Sequence, residues 1–229
     1  MRSIKKAIQE EPGESRPANP VALAERPAKL SRRERRKIAT REALLTAAQE
    51  VIAVKGVYLA VIEEITERDV AKGSFYQYFQ DRDDLLHVLL SRRLQELRTT
   101  ISATATPLGF AERVQALTHY HLEYFLAHED FLLFLHQVRG LIKMKRDETP
   151  AVRDTYRQYL MFLAGWLHPN GGKSRSSSKA REDTACVLLG FLTGYLSHQA
   201  ILAPLSMLTR DKVRIETALT AACVTFCQP

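Results

Sequence analysis

Cysteine is scarce in this 229-residue chain: Cys186, Cys223 and Cys227 are the only three, an odd number gathered towards the end. Such a set builds no disulfide framework and fits a reducing compartment, so the expected location is the cytoplasm. Cys223 and Cys227 stand four apart on an expected helix and could with Cys186 be drawn as a metal site. Small apolar packing residues are the plainer reading. No apolar run approaches the roughly 20 residues that span a bilayer. The opening MRSIKKAIQEEPGES lacks the apolar stretch of a secretory signal. Gly-rich phosphate loops, His-Glu-x-x-His and nucleophile-elbow motifs are missing, which argues against an enzyme. His119 and His121, two apart, point to different sides of a helix, which argues against a metal site; no catalytic residue, metal or cofactor is expected. Strand-like alternation and internal repeats are also missing, so the expected fold is all-α.

What is present in excess is positive charge, in one place. The formal net charge is +7. Residues 1–41 hold 12 Lys/Arg against 5 Asp/Glu, whereas residues 42–229 hold 21 of each. The excess is densest in KLSRRERRKIATR at 29–41, and a basic block beside a folded domain suits a polyanion. Residues 1–31 form the expected arm. Pro12, Pro17, Pro20 and Pro27, with Glu, Ser and Ala between them, leave it too little apolar area to offset its ordering entropy, so it is read as flexible.

Helical spacing begins near Arg33, with Ile38, Leu45, Ala48 and Ile52 along one face and Leu44, Ala47 and Val51 beside them. Gly56 is the expected C-cap. A short amphipathic piece follows, apolar at Val61, Ile62 and Ile65. Next comes a turn at RDVAK and a short helix through Tyr78. Asp81 is a good N-cap for a long helix carrying Leu86, Leu90, Leu94, Leu97 and Ile101, with Asp84 favouring its dipole. Helices are expected near 108–127, 130–146 and 151–168, where ten of the 18 aromatics lie. HPNGGKSRSSSK (168–179) reads as a loop. Residues 181–203 and 211–227 read as two further helices, apolar on most faces. Cys186, Gly190 and Gly194 share one row; Ile215, Leu219, Ala222 and Phe226 form a stripe. Helices of that kind need cover on more than one side, so a homodimer through them is expected.

Helix, short helix, turn, short helix and long helix is the layout of a helix-turn-helix unit. Its second helix needs donors and flat side chains facing the major groove, with neighbours that grip phosphates. Lys72, Ser74, Tyr76, Gln77 and Tyr78 supply these: Gln pairs with adenine, Lys reaches guanine or phosphate, and tyrosine hydroxyls suit phosphate oxygens. Phe75 and Phe79 share the side that anchors the helix, and Gly73 permits close backbone approach.

Here the sequence resembles the TetR family of transcriptional regulators. The likeness rests on the first helix ending in Gly56, on "ITE", and on DVAKGSFYQYF running into DRDDLL, about residues 36–90. It implies a DNA-binding domain at 32–80 and a helical effector-binding and dimerisation domain at 81–229. It further implies recognition positions at Lys72, Ser74, Tyr76 and Gln77 and backbone contacts at Tyr78, Arg82 and Arg41, with Arg32 to Lys37 near phosphates. Two departures bear on pose. Arg68 abuts Asp69 where relatives have one further small residue, and Ala60 stands where a capping Thr is common.

The resemblance also implies a ligand pocket after the DNA-binding unit. Tyr120, Tyr124, Phe134, Tyr159, Phe162 and Trp166 are the candidates to line an apolar cavity, with His119, His121 and His136 nearby. The expected protein is a dimeric DNA-binding regulator of a palindromic operator, a repressor released by a small, largely apolar effector. Two alternatives remain: a sequence-indifferent DNA binder relying on the arm, or a helical small-molecule-binding protein with impaired DNA binding. A membrane-surface role lacks a matching apolar face on the arm.

Overall fold

The first helix, α1 (Arg32–Leu59), starts on a reciprocal cap: Ser31 Oγ accepts from the Glu34 N–H, and Glu34 accepts from the Ser31 N–H at 2.8 Å. The computed structural model describes residues 31–66, 72–103, 109–145, 149–169 and 175–227. Expectations about the arm before Ser31 and about the Arg68–Asp69 turn lie outside these residues. Residues 31–39 are exposed all round, and burial begins further along, at Leu44, Leu45, Ala48, Val51 and Ile52. Ile38, expected on the buried face, is 49% exposed because α1 projects past the body there.

Gly56 does not end α1 but kinks it, at φ 79°, a left-handed value that glycine adopts without steric cost. One more turn follows. Ala60 then serves as its C-cap, its N–H donating to the Gly56 carbonyl at 3.2 Å. The residue read as a weak N-cap for the next helix is thus a buried end of the first.

Helices α2 (Ile62–Thr66) and α3 (Lys72–Phe75) complete the small unit. Phe75 and Phe79 are buried with ring centroids 5.5 Å apart, and seat α3 against the unit. Each ring contributes on the order of 1.5–3 kcal/mol by leaving water. The long α4 (Arg82–Ser102) begins at Asp81, which accepts from the Asp84 N–H at 2.8 Å, while Asp84 accepts from the Gln80 N–H at 3.0 Å. Leu86, Leu90, Leu94, Leu97 and Ile101 are buried, as the spacing predicts.

The remaining helices are α5 (Phe110–Ala127), α6 (Glu129–Met144), α7 (Pro150–Leu167), α8 (Arg175–Leu202) and α9 (Lys212–Cys227), with a 3-10 turn at Leu205–Asp211. The fold is all-α, with no strand among the described residues. The stretch read as a loop to Lys179 is helical from Arg175. Ser178–Leu202 is also long and apolar enough, by length and composition only, to cross a membrane, contrary to the expectation that no run comes close. Here it packs on α7 and α9 as part of the bundle. In α9, Ile215 and Leu219 turn into the chain's own core with Cys223, against α5, while Phe226 is 72% exposed. Cys186 is exposed rather than packed.

Candidate nucleic-acid interface and effector cleft

About two turns of α1 and the α3 segment face each other across an open trough of about 790 Å³. Arg33, Glu34, Arg36, Lys37 and Thr40 line one side, and Ser74, Gln77 and Tyr78 the other. The spacing 33, 36, 37, 40 puts these α1 residues on one helix face. Three cations against Glu34, which is engaged in the cap, make that wall basic. Gln77 offers an amide from an exposed position, and Tyr78 is half-buried against the core. Tyr76, 57% exposed, stands edge-on to Phe75 at 5.3 Å just outside the trough. An added Cβ at Gly73 would meet nothing within 4 Å, so this backbone is open to a partner from outside. Lys72 opens α3.

Two predicted contacts lie elsewhere. The Arg41 guanidinium lies over the Phe79 ring, 5.4 Å from its centroid, and 4.0 Å from Glu42. Arg82 turns back, its Nη1 3.5 Å from the carbonyls of Val57 and Tyr58, and braces the end of α1. Neither lines the trough. Thr40, which does, was missed; its hydroxyl donates to the Arg36 carbonyl at 3.0 Å, and its helical register with Arg33 and Arg36 was the available signal.

The six aromatics read as a ligand cavity are divided among several environments. Tyr159 is buried and donates from its hydroxyl to His121 Nε2 at 2.7 Å, while His121 Nδ1 donates to the Leu117 carbonyl at 2.6 Å. Burial pushes the imidazole down to about 4, partly offset by the Leu117 carbonyl, and burial raises the Tyr159 phenol well above its ordinary value. Tyr124 donates to Glu96 at 2.6 Å; burial first, then this carboxylate, raises its phenol. Phe134 lines a small hollow where α1, α4 and α6 meet. Phe162 lies under the Arg98 guanidinium at 4.8 Å. Tyr120 and Trp166 are half-buried against the core. The larger opening is a cleft of about 330 Å³ between α4 and α7. Leu94 and Tyr159 form its floor, with His87, Gln95, Arg98 and Gln158 among its polar walls. Of the six aromatics only Tyr159 reaches it.

A helix-turn-helix unit with a basic trough, carried on an all-helical body, defines a DNA-binding transcriptional regulator. Residues 44–89 match the family model for bacterial regulatory proteins of the tetR family, which places the chain's DNA-binding domain in that family. No curated protein matches the chain. Among solved structures, it is similar to a transcriptional regulator from Rhodococcus sp. Rha1 (TM-score 0.61, 19% identity, covering 82% of this chain and 96% of that one). A putative TetR-family regulator from Mesorhizobium loti aligns at TM-score 0.59 and 16% identity, over 83% and 98% of the two chains. The regulator FadR from Bacillus subtilis, solved in complex with stearoyl-CoA, aligns at TM-score 0.53 and 17% identity, over 76% and 96%. At these identities the likeness is one of fold.

Proposed function

We propose that this regulator acts as a cytoplasmic homodimeric repressor on a (pseudo)palindromic operator, and that a small-molecule effector releases it. The meeting of Ser74, Gln77 and Tyr78 with Arg33, Arg36 and Lys37 across one trough carries the reading. In it, Gln77 and Ser74 read base edges, Lys72 and Tyr76 are assigned further recognition roles, and Tyr78 and the α1 cations hold phosphates. Arg41 and Arg82 act indirectly, by steadying Phe79 and the end of α1.

The dimer is proposed through α8 and α9. Gly190 and Gly194 leave open space where a Cβ would stand, and Ile201 and Phe226 are exposed at 81% and 72%. Such a face suits close approach of a second copy. The effector is assigned to the α4–α7 cleft, whose apolar floor and polar rim suit an amphipathic molecule better than a wholly apolar one. The solved FadR holding stearoyl-CoA supports an effector role for this fold. A ligand that favours another packing of α4 lowers DNA affinity by its differential affinity for the two states.

The test is the double variant Tyr76→Ala, Gln77→Ala, compared with the parent on the operator and on scrambled duplex. The proposal expects loss of the preference for operator by tenfold or more with non-specific binding retained, in line with ~1–3 kcal/mol for a base contact. Unchanged preference contradicts it.

A further inference from the structure

We infer that Gln137 is the joint that fixes the angle of the DNA-binding unit on the body, and through that angle the half-site spacing the dimer accepts; this rests on the function proposed above. The argument starts at Gly56. Its left-handed conformation takes the Val57 N–H out of the α1 hydrogen-bond ladder, and Val57 is fully buried, so that donor needs another acceptor. Gln137 Oε1, on α6, provides it at 2.5 Å, across 80 residues of sequence. A Cβ at Gly56 would lie 2.8 Å from Gln137 Oε1, and one at Gly140, a turn further along α6, would lie 2.9 Å from the Tyr58 hydroxyl. That hydroxyl donates to the Gln137 carbonyl at 3.4 Å. Two glycines thus let the last turn of α1 and the middle of α6 interlock.

The same α6 face carries Asp130, Phe134 and Gln137. Asp130 accepts from Arg93 of α4 at 3.1 Å, and Phe134 lines the hollow shared with α1 and α4. From the other side Arg82, at the start of α4, donates to the carbonyls of Val57 and Tyr58. The short segment 57–59 is therefore gripped by both α4 and α6. The ion pair from α4 to α1, Arg92 with Glu42, is solvent-exposed, about half-open on both sides, and contributes little. A directional bond to a buried backbone donor defines an angle in a way a surface ion pair does not. A displacement of α6 would be passed to α1 at this point.

Gln137→Ala removes the acceptor and Gln137→Glu keeps one. The full-length chain first selects its site from random duplexes, and the three proteins are then measured on that site, on one half-site alone, and on sites with half-sites moved by one or two base pairs. The joint predicts that Gln137→Ala binds the half-site within about twofold of the parent, loses most of its discrimination against altered spacing, and exchanges the Val57 amide at least tenfold faster. Gln137→Glu is predicted to restore both. Unchanged spacing preference in Gln137→Ala, half-site and full-site binding weakened in step, or an equally protected Val57 amide each overturns the joint. If the parent selects no paired half-sites, the function proposed above fails, and the spacing role with it.

Discussion

Phe75 and Phe79 face inward while Tyr76 and Gln77 face out, and this division over the end of α3 and the turn that follows it is what frees the polar side for a partner. It was legible from spacing, because a short helix has only one side to bury. Arg41 and Arg82 were not legible in the same way. The partners of Arg82 are carbonyls 24 and 25 residues earlier, orphaned by a helix end whose position local periodicity does not give. The buried pair His121 and Tyr159 was likewise visible only as residue types. It carries a pH prediction. His121 is held neutral, its folded value near 4 lying below the usual 6.5. Between those values the unfolded chain binds the extra proton, so stability is full above pH 6.5 and falls as pH drops towards 4. The loss is about 3 kcal/mol from this group. Urea unfolding across that range checks it: His121→Phe is expected to show a shallower acid slope than the parent, whatever its stability at neutral pH. An unchanged slope would remove His121 as the cause.

At the scale of elements, helix positions in the body follow closely from apolar spacing and capping chemistry. Asp81 and Asp84 announce α4: Asp81 makes the expected N-cap bond, and Asp84, expected only to favour the helix dipole, also accepts from the Gln80 N–H. Replacing Asp81 by Ala is predicted to destabilise the chain by about 1 kcal/mol, measured as a lower urea midpoint with unchanged slope. The misread elements have physical reasons. The Ser-rich stretch at 175–179 reads as loop by composition, yet continues a helix that buries Ala185, Leu188 and Leu189 further on, and tertiary packing overrides local propensity. Gly56 reads as a stop, yet Gln137 holds a further turn beyond it, a contact no local window contains. The six aromatics cluster in sequence but sit on helices facing different ways, and Phe134 and Tyr159 line separate cavities.

For the whole molecule, the fold class was legible because every long segment repeats at helical spacing and none alternates. The two helices expected to pair differ in what they expose. The glycine row on α8 is open, whereas most of the α9 stripe is covered by the chain itself, with Phe226 alone turned out. Gly190→Leu is predicted to shift a dimer to monomer in sedimentation velocity, with helix content by circular dichroism unchanged; a variant that stays dimeric would move the interface elsewhere. The central claim, that paired recognition helices read a duplex, is tested most directly by selecting bound fragments from random DNA with the full chain. The account predicts enrichment of an inverted repeat whose half-sites are centred about one helical turn apart, on the order of 10–10.5 base pairs. Retention of duplexes with no shared sequence, in proportion to length alone, would contradict it.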